Sequence, residues 1–94
     1  MNQELCEFLK KIEIVHEMKS EIKGNTFFTG ADNTEITLKG YDVTYNLGCL
    51  SEITVSDGTV EFADVYAHNG EEVPTYHTKG VYPVELIEKV ELSL

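Results

Sequence analysis

The first part of the chain carries apolar side chains at the spacing of an amphipathic helix. They recur every three or four positions, which is the period of one helix face, at Leu5, Phe8, Leu9, Ile12 and Val15. Asn2 is a suitable N-cap, and Gly24 is a usual stop signal. The pattern predicts one helix over residues 2–23.

From Thr26 onward, apolar and polar residues alternate with the period of a half-buried strand. The alternation runs from Glu35 to Lys39, changes phase at Gly40 and continues from Tyr41 to Leu47. A change of phase exchanges the buried and exposed faces, so it indicates a bulge or sharp bend at Gly40. The rest of the chain is therefore predicted to be a β body, residues 26–94.

One turn signal stands out in this body. Asp57-Gly58 lies between two alternating runs, which is the usual sequence of a two-residue type I′ hairpin. The register that follows places two apolar pairs on the buried side and one polar pair outside, namely Val55 with Val60, Ile53 with Phe62, and Thr54 with Glu61.

A second turn signal, Asn69-Gly70, joins a strand over Asp64–His68 to a strand over Glu71–Val73. Pro74 has no amide hydrogen to donate to a neighbouring strand. The strand after the turn is therefore predicted to be an edge strand, or to give way to a loop there. Thr75–Gly80 lacks the pattern of a buried strand and is predicted to be an exposed loop or a lifted hairpin.

The apolar residues from Val81 to Leu92 close the chain, and periodicity leaves open whether residues 85–89 form a tight helical turn or a strand. Together the patterns predict an α+β protein, in which an N-terminal amphipathic helix precedes a curved antiparallel sheet of five or six strands or a small open barrel. In its element order the chain resembles the SH3-like and Sm-like barrels. The helix is expected to cover the open face or one end of this sheet or barrel.

Charge excludes several classes of function. The chain has 94 residues with 17 Asp and Glu, 7 Lys and no Arg, and a formal net charge of −10. A nucleic-acid-binding protein or a protein bound to an anionic membrane needs a basic surface, so neither is expected. The length predicts a single domain over residues 1–94. Two cysteines and the lack of a signal-peptide pattern favour a cytoplasmic protein.

No motif for catalysis or metal binding is present in the sequence. Cys6 and Cys49 lie far apart, and the three histidines are scattered without the spacing of metal ligands. Both cysteines are expected to be buried, unreactive thiols. We therefore expect no enzyme activity, no metal and no cofactor.

The segment from His68 to Tyr82 is the candidate binding region, because it combines histidines, tyrosines and an acidic pair next to a predicted hairpin. Exposed aromatic side chains provide contact area at low entropic cost. In this interpretation the carboxylates steer the partner and the tyrosine anchors it. The residues assigned to partner binding are Asp64, Glu71, Glu72, Tyr76 and His77.

These features lead to the hypothesis of a non-catalytic acidic module that binds a protein partner through that partner's basic surface. A strand presents alternate residues on one side, so a sheet can array carboxylates in rows that compete for a phosphate-binding surface. Small acidic inhibitors of nucleic-acid enzymes act in this way, including phage-encoded inhibitors of nucleases, and the analogy is one of type rather than of motif. The hypothesis requires the negative groups to cluster on one side of the folded molecule.

Two alternatives stay open from the sequence. One is a small-ligand or peptide-binding barrel, which needs a concave apolar pocket with a few convergent polar groups. The other is a structural subunit, and so a homo-oligomer, that pairs through an edge strand at Glu71–Val73 or at the C-terminal strand.

Overall fold

A computed structural model describes residues 2–15, 18–40, 44–46, 50–66 and 75–94. The elements in these ranges are one α-helix, nine strands and one 3₁₀ turn. In chain order they are α1 (Gln3–Leu9), β1 (Ile12–Ile14), β2 (Ser20–Lys23), β3 (Thr26–Ala31), β4 (Asn33–Leu38), β5 (Thr44–Asn46), β6 (Leu50–Ser56), β7 (Thr59–Tyr66), β8 (Thr75–Pro83), the 3₁₀ turn (Val84–Leu86) and β9 (Ile87–Ser93).

The strands form two sheets. Sheet A has the order β1-β9-β4-β5, and sheet B has the order β2-β3-β6-β7-β8. Neighbouring strands are antiparallel except for β1 and β9, which are parallel. The predicted α+β class is therefore confirmed, with two sheets in place of the single curved sheet that we expected. The barrel arrangement stays a prediction.

The predicted helix over residues 2–23 is wrong beyond its first turns. Asn2 caps the helix as expected, since its Oδ1 accepts a hydrogen bond from the Leu5 amide at 2.8 Å. The helix then ends at Leu9, and Ile12–Ile14 and Ser20–Lys23 are strands. The physical reason is tertiary pairing: β-branched residues favour strands, and β9 and β3 supply the partners that an isolated segment lacks.

The chain passes between the sheets four times, and two of these crossings are short corners. Strand β3 ends at Ala31 and β4 begins at Asn33, so the single residue Asp32 carries the chain from sheet B to sheet A. The 3₁₀ turn over Val84–Leu86 makes the other short crossing, from β8 to β9. Residues 85–89, which the sequence left open, therefore begin in the 3₁₀ turn and continue into a strand.

The Asp57-Gly58 hairpin is confirmed. Both turn residues have positive φ, 51° for Asp57 and 75° for Gly58, as a type I′ turn requires. The pairing of β6 with β7 also follows the predicted register. The second turn, Asn69-Gly70, lies outside the described residues.

Thr75–Gly80 was expected to be an exposed loop or a lifted hairpin. These residues belong to β8 and pair with β7, so the loop alternative is wrong. Strand β8 is the last of the described strands of sheet B. The edge strand predicted at Glu71–Val73 lies outside the described residues. An edge strand receives its hydrogen bonds from one neighbour and need not show a buried pattern, which explains the missing signal. The C-terminal strand β9 lies between β1 and β4, so Val90–Leu92 offer no free edge to another subunit.

One apolar core joins the helix to both sheets. Its buried members come from α1 (Leu5, Phe8), β3 (Phe27, Ala31), β4 (Ile36, Leu38), β6 (Ile53, Val55), β7 (Val60, Phe62) and β9 (Ile87, Val90, Leu92). Four aromatic rings form a continuous series from this core to the surface, with Phe8 and Phe62 buried, Tyr82 partly buried and Tyr45 exposed. The ring centroids are separated by 6.3 Å from Phe8 to Phe62, by 6.0 Å from Phe62 to Tyr82, and by 6.0 Å from Tyr82 to Tyr45.

Tyr82 occupies the middle of this aromatic series, and its surroundings constrain residue 80. Partial burial, together with the nearby Tyr45, raises the pKa of the Tyr82 phenol above its usual value. A Cβ placed on Gly80 would lie 2.8 Å from Cε2 of this ring. The ring packs between Phe62 and Tyr45 and cannot move aside without losing these contacts.

We predict that Gly80→Ala lowers the free energy of unfolding by about 1–2 kcal/mol, because the added methyl group displaces the Tyr82 ring. The matched control is Gly30→Ala in β3, where a Cβ meets nothing within 4 Å. Denaturant unfolding of both variants measures the difference. Equal stability of the two variants would contradict the role given to Gly80.

We also predict that Thr34→Val raises the free energy of unfolding by about 1 kcal/mol, because an unsatisfied buried hydroxyl is costly. Thr34 is fully buried, and its Oγ1 has no hydrogen-bond partner among the described residues. Thr29→Val is the control of opposite sign, since Thr29 Oγ1 accepts a hydrogen bond from the Ala31 amide at 3.1 Å. Thermal unfolding that shifts in the same direction for both variants would refute this explanation.

Candidate functional site on the outer face of sheet A

Three carboxylates lie in one line across the outer face of sheet A. The strand register places Glu13 of β1 beside Glu91 of β9, and Glu91 opposite Glu35 of β4. Neighbouring strands are about 4.8 Å apart, so the line crosses three strands in about 10 Å. We call Glu13, Glu91 and Glu35 the acidic row.

The buried core residues determine which face of sheet A carries the acidic row. Ile36 of β4 and both Val90 and Leu92 of β9 are fully buried, and successive side chains on a strand point to opposite faces. Their sequence neighbours Glu35 and Glu91 must therefore point outward. A shift of one residue in the register would bury these carboxylates, so the apolar pattern specifies the row.

The acidic row is only partly neutralised. Lys89 Nζ lies 2.9 Å from Glu13 Oε2 and 3.6 Å from Glu91 Oε2. The hydrogen bond and charge of Glu13, with a smaller contribution from Glu91, raise the pKa of the Lys89 amine. Within the described ranges, no lysine forms an ion pair with Glu35. Glu35 thus faces Glu91 directly, an arrangement of like charges that is unfavourable in a sheet.

Lysines gather next to the acidic row. They line a surface concavity of about 650 Å³, together with a threonine and two glutamates, and its polar lining is Lys10, Lys11, Glu13, Thr37, Glu88 and Lys89. Lys11 Nζ donates a hydrogen bond to the Val84 carbonyl at 3.0 Å. Burial and the nearby positive charge of Lys39 lower the pKa of Lys11. We call this concavity the lysine pocket.

The outer face of sheet B carries acids as well. Phe28 of β3 lies between Glu21 of β2 and Glu52 of β6 in the register. Lys23 Nζ is 3.8 Å from Glu21 Oε1 and 5.8 Å from the centre of the Phe28 ring. Acidic side chains therefore occupy the outer faces of both sheets, and the expectation that they cluster on one side of the molecule is wrong for the described residues.

The structure describes the backbone of three of the five residues predicted to bind a partner. Asp64 of β7 and His77 of β8 are direct register partners, and Tyr76 is paired with the neighbouring position of β7. The backbone therefore brings these three residues together on one strand pair. Glu71 and Glu72 lie outside the described residues. The binding role assigned to these five residues stays a prediction.

Sequence reasoning missed the acidic row. The apolar spacing predicts a helix at Glu13, whereas its approach to Glu91 requires parallel pairing between the two ends of the chain. The alternating run Ile12-Glu13-Ile14 was the available signal, since it fits a strand as well as a helix.

The cysteine assignment also changes. Cys6 is an exposed free thiol on α1 rather than a buried one, and Cys49 lies outside the described residues. Among the residues that the structure describes, no group of three or more His, Cys, Asp or Glu side chains is placed to hold a metal ion. In that same part of the chain, no helix has the length and apolar character needed to cross a membrane.

A second concavity, of about 350 Å³, lies between α1 and the Asp57-Gly58 turn, and Gln3, Val55 and Val84 are among its lining residues. Glu4 also lines it, but Glu4 Oε2 already accepts a hydrogen bond from the Gly58 amide at 2.8 Å. This hydrogen bond connects the helix to the hairpin, and it explains the acidic residue at position 4.

Comparison with known proteins gives no match: no family model fits the sequence, and neither the curated proteins nor the solved structures contain a significantly similar chain. The function has to be argued from the surface of this molecule.

We predict that Glu35→Lys raises the free energy of unfolding by about 0.5 kcal/mol at low ionic strength, because it replaces a cross-strand repulsion with Glu91 by an attraction. Asp32→Lys makes the same change in net charge at an exposed corner and serves as the control. Denaturant unfolding at low and high salt measures both variants. A gain of equal size in Asp32→Lys would show that net charge, and not the row, is responsible.

Proposed function

We propose that this protein is a non-catalytic binding protein whose acidic row engages a basic surface on a protein partner. The observation that carries the proposal is the alignment of Glu13, Glu91 and Glu35 on three adjacent strands, with Glu35 left without an ion pair among the described residues. Aligned carboxylates on a rigid sheet form a fixed negative array, which suits a surface that otherwise binds phosphates. The proposal rests on this local row and not on a one-sided distribution of acids, because the outer face of sheet B carries acids as well.

The energetics support this interpretation. A protein selected for stability alone would place opposite charges, and not Glu35 and Glu91, at directly opposed positions. A basic partner removes this repulsion on binding. The free energy by which the repulsion destabilises the fold therefore favours association. The partner class that fits is a basic nucleic-acid enzyme such as a nuclease, for which the chain would act as an inhibitor that mimics nucleic-acid charge.

The strand pair β7–β8 of sheet B is a second candidate binding surface. Asp64, Tyr76 and His77 lie there, and Glu71 and Glu72 belong to the segment between the two strands. In the proposal the carboxylates steer the partner and Tyr76 anchors it.

The test is affinity capture with the immobilised full chain at about 0.05 M and about 0.5 M salt, a range over which exposed charges become screened. We expect a basic partner to be retained at low salt only. Glu35→Lys should weaken its binding by about tenfold, and the double variant Glu71→Lys/Glu72→Lys should do the same, because each reverses charge at the interface.

Asp32→Lys is the matched control and should retain the partner, since it changes the net charge equally at another place. Two results would overturn the proposal: retention that is insensitive to salt, or equal losses in Glu35→Lys and Asp32→Lys. Inhibition of the captured enzyme on a nucleic-acid substrate, relieved by Glu35→Lys, would identify the chain as a charge mimic.

A further inference from the structure

The outer face of sheet B presents an aromatic ring between two carboxylates. Phe28 of β3 is partly exposed, and its direct cross-strand partners are Glu21 of β2 and Glu52 of β6. Directly opposed residues share a face of the sheet, with Cβ atoms about 4.5–5.5 Å apart. Burial of the adjacent Phe27 and Ile53 fixes the register, so these three side chains must point outward. A carboxylate therefore lies within reach on each side of the ring.

The ring already contacts a cation of its own chain. Lys23 Nζ lies 5.8 Å from the centre of the Phe28 ring and 3.8 Å from Glu21 Oε1. A cation is attracted to the face of an aromatic ring within about 6 Å, so both contacts are close to their upper limit. The Lys23 side chain also remains 67% exposed. The ring and the carboxylate thus hold a cation together, but they hold this one loosely.

The two sides of the ring differ in charge. On one side, Lys23 partly neutralises Glu21, and Lys19 lines a concavity together with Glu21 and the ring. On the other side, Glu52 forms no ion pair within the described part of the chain. The next cross-strand neighbour of Glu52 is the uncharged Ala63 of β7. A further cation is therefore expected on the Glu52 side of the ring.

Hydroxyl groups lie beside this carboxylate. Thr26 and Thr54 are direct partners on β3 and β6, and their Oγ1 atoms are 3.0 Å apart. Each is two positions from Phe28 or Glu52 on its own strand, so both lie on the same face as the ring. One hydrogen bond between two hydroxyls leaves lone pairs free to accept. The Glu52 side thus combines a ring face, a carboxylate and hydroxyl oxygens.

Arginine fits this combination better than lysine does. A guanidinium group is planar and stacks on an aromatic ring while its N–H groups donate to a carboxylate. An ammonium group is a compact, strongly hydrated charge that cannot do both equally well. The sequence contains no Arg, so the guanidinium has to come from another molecule, and the net charge of −10 favours the approach of a basic one.

We propose that Phe28 and Glu52, with support from Thr26 and Thr54, bind an arginine side chain of a basic protein partner. The guanidinium stacks on the ring and donates hydrogen bonds to the Glu52 carboxylate. The site lies on the other sheet from the acidic row and recognises one type of side chain, so it goes beyond the proposed function.

The test titrates the purified full chain with the peptide acetyl-Gly-Gly-Arg-Gly-Gly-amide. The reference is the same peptide with Lys in place of Arg, at equal ionic strength. We expect saturable amide NMR shifts that concentrate at residues 26–28 and 52–54. The arginine peptide should bind about threefold more tightly than the lysine peptide, because stacking adds to a charge that both peptides carry.

Phe28→Leu is the diagnostic variant, because it removes the ring and keeps the charge and most of the apolar volume. It should weaken binding of the arginine peptide by about threefold and abolish the preference over the lysine peptide.

Two charge variants test the site without changing the ring. Glu52→Gln should weaken binding of both peptides by about threefold, and Glu85→Gln, the same change at an exposed residue of the 3₁₀ turn, should leave binding unchanged. Lys23→Met should strengthen binding of the arginine peptide by about twofold, because it removes a competing cation from the ring. Lys10→Met, at the exposed end of α1, is its control and should have no effect.

Equal affinity for the two peptides would overturn the proposal, and so would a Phe28→Leu variant that keeps the preference for arginine. Equal effects of Glu52→Gln and Glu85→Gln would do the same, because they would indicate a response to net charge alone. The experiment contains no protein partner and changes no residue of the acidic row, so its failure is distinguishable from failure of the capture experiment.

Discussion

The contact on which the fold depends is the packing of Tyr82 against Phe62 and Tyr45. Through these rings the edge of sheet B reaches the edge strand of sheet A, and through Phe62 it reaches Phe8 on the helix. A seven-residue helix is not stable in isolation. It persists because Leu5 and Phe8 are fully buried against strands that the aromatic series holds together. The aromatic series therefore connects the helix and both sheets.

The same packing determines where charge appears. Burial of Ile36 and Val90 sets the register of β4 against β9, and the alternation of strands then leaves Glu35 and Glu91 opposite each other in solvent. The acidic row is thus specified by apolar residues one position away. A substitution that altered the register would destroy the core and the row together, whereas a substitution of Glu35 changes the surface alone.

The sequence predicts local features of this fold better than distant ones. The Asn2 cap and the Asp57-Gly58 hairpin, with its full register, follow from contacts between residues close in the chain. The prediction of a helix over residues 2–23 is wrong because the run Ile12-Glu13-Ile14 fits both the helical period and the strand period. Only pairing with β9, at the other end of the chain, selects the strand. The acidic row could not be found for the same reason: its members meet through two long-range pairings, β1 with β9 and β4 with β9.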